Sequence, residues 1–486
     1  MNLREQTAKG LFWVGLDNIL VGGLRFCSQI VLARILLPRD FGIVSIGLLV
    51  INTLNLFSGF GIESALIQRQ DNIKESASTG FIILPMIGLV LFLMTFFLAP
   101  LVASFYRQEA LLRIIRLFSL TFLLNSFSII PAALLTREME FRKKIVPDVG
   151  AVLAYAATAV FLALKFRSVY SIVYGYIAGI LANLILVWVV SPWRPVFKFK
   201  RDLARQMISY GRFILGTAII SFALTQGDNA LVGKVLNLTV LGFYALAYTI
   251  SNLVATDIAL VISRVMFPVF CRLQDESKKL EQGYLITLNF TLLVVAPVAA
   301  GMIVLGNTLI KPLLGAKWLP CVLALQVLCL HGLFRSVHII SCFLIDAFGK
   351  PKINQDILLF QLLGLALIIY PLTVKFGIVG TAIAVTLMRL LACLVTLQGC
   401  IKILNISWKT VFNSIWLPVA GSMVMFAIIF FSKEFIFSGD SLLQLAILVL
   451  IGAVTYIVFV FGGSHQTRIR VKEIFYSLSL DAEGTA

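Results

Sequence analysis

Apolar stretches of about 20 residues, the length needed to cross a bilayer as a helix, recur along the whole chain. They fall near 11–33, 41–61, 79–104, 112–135, 145–164, 169–190, 208–232, 239–262, 285–308, 320–345, 357–373, 377–400, 411–432 and 441–462. Short charged or Pro/Gly-bearing breaks separate them. The alternating ten-residue segments of a membrane β-barrel are missing. The pattern predicts an all-α polytopic bundle of about 14 transmembrane helices. No break is long enough for a separate catalytic domain, so function is expected among the helices.

The opening run could be mistaken for a signal peptide, since a charged start leads into an apolar segment. It contains Asp17, Asn18 and Arg25 and continues to about Leu37, which is too long and too polar for that role. A retained first membrane helix is expected. Composition agrees with the pattern. Of 486 residues, 60% are hydrophobic and only 13% are charged, against roughly 25% charged in soluble domains. A soluble enzyme, a disordered chain and a secreted disulfide scaffold are excluded. The net charge of +17 does not indicate nucleic-acid binding, because the basic residues sit in short groups between spans. Placing both termini in the cytoplasm puts about 24 basic residues on that side and about 12 opposite, the sense the positive-inside rule requires. The seven cysteines form no Cys-x-x-Cys pair, so no metal site or disulfide framework is expected. No cofactor-binding loop or hydrolase motif is present, and no cofactor is expected.

A shift of 200 residues brings out an internal repeat. Arg34-Ile-Leu36 falls on Lys234-Val-Leu236, Gly42 on Gly242, Asn52 on Asn252 and Ile62 on Ile262. Six spans separate the copies, an even number, so both have the same orientation. Parallel six-helix repeats around an axis along the membrane normal are a transporter arrangement. The expected organisation is an N-lobe over 1–200, a C-lobe over 201–405, two additional helices over 406–463 and a cytoplasmic tail over 464–486.

Ionisable and polar groups at membrane depth are costly and usually face a bundle interior. Asn18, Gly22, Arg25 and Gln29 share one helical face of the first span; Asn52, Asn55 and Ser58 do so in the second. Thr217, Ser221, Thr225 and Asp228 line the seventh, and Tyr244, Tyr248 and Ser251 the eighth. Most such Ser, Thr and Asn residues join helices by hydrogen bonds. Arg25 and Asp228 are better candidates for a substrate cavity, because an unpaired charge costs far more. Arg264 either lines that cavity or marks a cytoplasmic helix end, with Asp257 as its structural partner or as a coupling group. In the tenth span His331, Arg335 and His338 lie at i, i+4 and i+7. Two histidines around an arginine make a poor metal site; a proton-linked role and buried hydrogen bonding both remain open. Arg389 in the twelfth span completes a cationic lining. Fixed guanidinium groups attract phosphate strongly and bidentately, so an anionic substrate is expected. The candidate substrate contacts are Arg25, Asn52, Asp228, Arg264, Arg335 and Arg389; Asp228, Asp257, His331 and His338 are candidates for ion or proton coupling.

Met1-Asn-Leu-Arg-Glu-Gln-Thr7 with Trp13, Val31-Leu-Ala-Arg-Ile35, Phe41-Gly42, Gly61-Ile-Glu-Ser-Ala-Leu-Ile-Gln-Arg69 and Leu134-Leu-Thr-Arg-Glu-Met-Glu-Phe-Arg142 together resemble the polysaccharide exporters of the MOP (multidrug/oligosaccharidyl-lipid/polysaccharide) superfamily. The nearest branch is that of the colanic-acid and teichuronic-acid flippases. The resemblance implies a two-lobed bundle in the bacterial inner membrane that moves undecaprenyl-diphosphate-linked oligosaccharide between leaflets by alternating access. It further implies a cationic cavity for the diphosphate, and partnership with the polymerase and glycosyltransferases of surface polysaccharide synthesis. Arg25 fits a first-helix cationic role; Arg34 and Arg69 lie in the matching segments. A cation-coupled multidrug exporter of the same fold is the alternative, although such proteins favour acidic cavities. A membrane polymerase or ligase would need a large external loop or an acidic catalytic motif.

Overall fold

The computed structural model describes residues 3–59, 62–68, 71–196, 198–435, 439 and 441–462. Among these residues there are helices and no strands. The elements are α1 (Leu3–Ile35), α2 (Pro38–Asn55), α3 (Ile62–Gln68), α4 (Ile73–Phe105), α5 (Ala110–Ser126), α6 (Ile129–Arg137), α7 (Phe141–Phe166) and α8 (Tyr170–Val190). They continue with α9 (Arg201–Val235), α10 (Leu238–Arg272), α11 (Ser277–Leu314), α12 (Val322–Ala347), α13 (Pro351–Leu404), α14 (Trp408–Phe435) and α15 (Leu442–Gly462). Most predicted apolar spans fall on a single helix, whereas 112–135 divides between α5 and α6 and 41–61 runs past the end of α2 at Asn55. Among the described residues nine helices are long and apolar enough to cross a membrane, ten when α5 and α6, bent by 46°, count as one. The chain is a multi-pass membrane protein.

Two predicted spans, 357–373 and 377–400, lie on the single element α13. Its 54 residues would reach ~80 Å if straight, more than twice the ~30 Å hydrocarbon core. The chain reverses instead at Gly377, whose φ of 62° and ψ of −143° are not helical. The hydroxyls of Thr373 and Thr381 meet across the reversal at 2.8 Å. A Cβ on Gly380 would lie 1.9 Å from the Leu372 carbonyl oxygen, so the two arms pack backbone to backbone. Only glycine adopts the Gly377 conformation without strain.

The structure has two compact units, 1–247 with 358–385 and 248–357 with 386–486. In the first, α1 packs along α7 and α7 along α8. Ile62, Leu66, Ala77, Leu84, Ile130 and Ala133 form a dry cluster where α3, α4 and α6 meet. In the second, α11 packs on α12 and α14. Phe270, Tyr284, Leu288, Ile340, Leu344 and Cys400 fill the space there. Large apolar side chains also point outward; Leu367, Val189, Phe97 and Met423 are each at least 70% exposed. Such a surface is untenable in water and natural against lipid tails.

The 200-residue offset recurs in the backbone. Helix α1 ends at Ile35 and α9 at Val235; α2 begins at Pro38 and α10 at Leu238. The two α2 and α10 starts cross so closely that a Cβ on Gly42 would sit 1.7 Å from the Leu238 carbonyl oxygen. Reciprocally, a Cβ on Gly242 would sit 1.8 Å from the Pro38 carbonyl oxygen. Pro38 pre-sets the first turn of α2, and the Leu37 backbone N–H donates to the Asp40 carboxylate at 3.0 Å. Nearby, Lys234 donates to the Phe105 carbonyl at 2.7 Å and stands 3.9 Å over the Phe105 ring. The Tyr106 hydroxyl donates to the Ala230 carbonyl at 3.4 Å.

Candidate cationic site

The strongest polar convergence lies in the second unit. Helical spacing on α12 places His331, Arg335 and His338 along one face, as the sequence predicts. The second arm of α13 supplies Arg389 and Thr396, and α10 supplies Tyr248 and Asn252. One Arg335 guanidinium nitrogen, Nη1, donates to the Tyr248 hydroxyl at 3.4 Å and to Asn252 Oδ1 at 3.5 Å. Tyr248 also faces His331, with ring centroids 5.9 Å apart. His338 Nδ1 meets the Thr396 hydroxyl at 3.2 Å, and Thr396 itself donates to the Ala392 carbonyl. Asn252 is itself fixed to its own helix, where its Nδ2 donates to the Tyr248 carbonyl at 3.0 Å.

Among the described residues positive charge outweighs negative at this place. Arg335 and Arg389 lie close enough for their positive charges to repel, and both act on His331 and His338. Among the described residues neither guanidinium has a carboxylate within salt-bridge distance. Asp346, the acid on the same helix, accepts instead from Asn354 at 2.8 Å. Arg389 Nε and His331 Nδ1 are buried without a hydrogen-bond partner. His331 is 3% exposed. Buried donors and like charges of this kind are expensive unless something else supplies the counter-charge.

Asp228 belongs to a different arrangement. It is 1% exposed and accepts from the Tyr244 hydroxyl at 2.7 Å and from the Asn229 backbone N–H at 2.8 Å. Tyr244 is itself fully buried. The carboxylate therefore ties α9 to the first turns of α10 within the first unit. Asn52 is half-buried on α2. The side chains of Asp257 and Arg264, the Arg69 position and the 464–486 tail lie outside the described residues.

Arg25 is exposed on α1, and its charge is felt by Asp17, Asp148, Tyr155 and Tyr176, all in the first unit. Asp17 Oδ1 is buried without a partner, and Asn183 donates to Asp148 Oδ1 at 3.5 Å. This second cluster, on α1, α7 and α8, includes two residues the sequence reading passed over. Asp148 was legible as an acid just inside the span 145–164; Asn183 carried no signal among many span-internal amides.

These helices have counterparts in known proteins. A family model described as polysaccharide biosynthesis protein matches residues 31–323. Over 425 residues the chain is 26% identical to the lipopolysaccharide biosynthesis protein WzxC of Escherichia coli K12, covering 86% of each chain. It is 26% identical over 428 residues to the teichuronic acid biosynthesis protein TuaB of Bacillus subtilis 168, covering 85% of this chain and 86% of that one. Its fold is similar to that of the lipid II flippase MurJ in an inward closed conformation, with a TM-score of 0.75, 15% identity, and coverage of 93% of this chain and 98% of that one. The family match runs from the end of α1 to the start of α12, more than half of the chain, and the protein belongs to the polysaccharide biosynthesis protein family.

Proposed function

We propose that this protein is a flippase that carries lipid-linked oligosaccharide from one leaflet of the bacterial inner membrane to the other, for assembly of a surface polysaccharide. No covalent bond changes in this process. The observation that carries the reading is the Arg335–Arg389 pair, which has no carboxylate within salt-bridge distance among the described residues, in a membrane chain of this family. Apolar surface can serve a lipid tail anywhere on such a bundle, whereas a half-buried cationic pair within the bundle calls for an anion. A cationic drug, the cargo of the multidrug alternative, would be repelled there.

The carrier is undecaprenyl diphosphate, both termini lie in the cytoplasm, and transport proceeds by alternating access between a 1–200 lobe and a 201–405 lobe. Helices in 406–463 and the 464–486 tail are additions to that machine. We assign cargo contacts to Arg25 and Asn52 in the first unit and to Arg264, Arg335 and Arg389 in the second, with Asp257, His331 and His338 as the groups open to coupling. Asp228 serves as a helix anchor. Polymerase and glycosyltransferases act on the same lipid-linked unit before and after it moves.

In a strain lacking the protein and any other copy of its kind, the lipid-linked unit is expected to accumulate with its sugar shielded from an externally added, membrane-impermeant oxidant. Restoring the gene should restore labelling. Equal labelling in the deletion strain would overturn the reading.

A further inference from the structure

Two further arginines, both on α5 in the first unit, take no part in either polar cluster above. We infer that Arg113 and Arg116, with the Phe92 and Phe96 rings of α4, form a lateral site for an anionic membrane phospholipid. Its phosphodiester rests on the two guanidinium groups and an acyl chain runs along the rings. The inference is independent of the transport reading.

Helices α4 and α5 pack closely and antiparallel. A Cβ on Gly88 would lie 2.8 Å from the Phe122 carbonyl oxygen and 2.9 Å from the Ser126 Cβ. The same register sets Phe96 beside Arg116, whose guanidinium carbon stands 4.4 Å from the ring centroid. Phe92, one turn away, meets Phe96 with centroids 6.0 Å apart. Arg113 lies three residues before Arg116, so both project on one side of α5, and Arg113 is exposed. Leu93 on α4 and Leu120 on α5 are exposed as well. Exposed apolar side chains on the helices of a membrane chain meet lipid tails, so this groove opens to the bilayer.

Charge and depth decide the ligand. Arg116 lies six residues from the start of α5 at Ala110, about 9 Å along the helix. Its Nε is buried without a hydrogen-bond partner. Among the described residues neither Arg113 nor Arg116 has a carboxylate within salt-bridge distance. A cation at such depth is costly unless an anion comes to it. Snorkelling would carry the charge to the water at the helix end, whereas this guanidinium is laid on the Phe96 ring, nine residues inside the end of α4 at Phe105. A phosphodiester approaching from the lipid side meets the guanidinium fork in the geometry that suits both. The apolar walls favour an anion that carries hydrocarbon over a free phosphate. Phosphatidylglycerol fits, because its phosphate is uncompensated; the choline of phosphatidylcholine brings a second positive charge that the arginines repel.

The test places a photo-crosslinking benzoylphenylalanine at Leu120 of the full-length protein, reconstituted in phosphatidylcholine vesicles with a minor share of phosphatidylglycerol. Mass spectrometry of the crosslinked protein then identifies the captured lipid. Phosphatidylglycerol should be captured at least about five-fold more often than its share of the vesicle. Arg113→Gln and Arg116→Gln should each bring capture to within about two-fold of that share. Arg116→Lys, which keeps the charge and loses the fork, should fall between. A cation–π tie between α4 and α5 alone would alter stability and leave capture unmoved, so the readout separates a lipid site from a structural contact. Lys165→Gln, which removes an exposed cation beside an aromatic ring on α7, should keep the enrichment. Excess water-soluble glycerol phosphate should leave it unchanged too; displacement would assign the pair to a free anion and overturn the lipid. Capture at the vesicle share in the otherwise unaltered protein, or enrichment that survives both glutamine substitutions, would overturn the assignment. Equal enrichment with the crosslinker at Met423, exposed on α14, would do the same.

Discussion

Gly42 and Gly242 lie 200 positions apart in sequence and face each other where α2 and α10 begin, each taking the place where a Cβ would strike the other helix's backbone. A Cβ on either would fall within 1.8 Å of a carbonyl oxygen, Leu238 for Gly42 and Pro38 for Gly242. The offset is the same 200 at which the sequence repeats. The glycines are required because two backbones, and no side chain, form the contact.

Gly42→Ala and Gly242→Ala should therefore each force the helix starts apart, at a cost of about 1–3 kcal/mol. Thermal unfolding of the purified variants measures this. Because both substitutions disrupt one contact, the double variant should lose less than the sum of the two. Strict additivity would mean the crossing is not shared.

Asp228 and Tyr244 should behave as one unit. Asp228→Asn weakens a bond between a carboxylate and a hydroxyl, and Tyr244→Phe removes it. A double-mutant cycle on unfolding stability should give a coupling of about 1–3 kcal/mol. A coupling near zero, with transport lost only in the Asp228 variant, would return Asp228 to the coupling role suggested by its sequence position.

The reversal at Gly377 rests on a left-handed backbone, and nothing stands within 4 Å of a Cβ there. Strain alone therefore sets the effect of Gly377→Ala, expected at about 1–3 kcal/mol of lost stability. An unchanged unfolding midpoint would show that the two arms of α13 turn by another route.

Arg25 stands in the field of Asp17 and Asp148 and is exposed on α1. Arg25→Ala is expected to slow leaflet exchange by roughly ten-fold, the equivalent of 1.4 kcal/mol. Measured exchange equal to that of the unaltered protein would take Arg25 out of the transport path.

The helices were legible because hydropathy at this scale is decided by the bilayer, which accepts only satisfied backbone. The face carrying His331, Arg335 and His338 was legible as well, since spacing on one helix follows from geometry alone. What brings Arg389, Tyr248 and Asn252 to that face was not, because it depends on how α10, α12 and α13 pack. The same limit applied to Asp228: as a lone acid in an apolar span it read as a functional charge, and only the fold supplies the Tyr244 hydroxyl that satisfies it. Asp148 was legible as an acid near a span edge, where such a group is ordinarily solvated, but its Asn183 partner emerges only from the packing of α7 on α8. The glycine at 42 was visible as a repeat, while its reason, a backbone crossing, was not.

Movement of a lipid-linked sugar across the bilayer is the activity on which the family match and the Arg335–Arg389 cluster converge. Purified protein reconstituted in liposomes, with a fluorescent lipid-diphosphate-linked oligosaccharide of the cognate sugar sequence in the inner leaflet, tests it most directly. The label is expected to become accessible to an external quencher much faster than in protein-free liposomes, and Arg335→Gln and Arg389→Gln should slow that exposure. Exposure at the protein-free rate would contradict it.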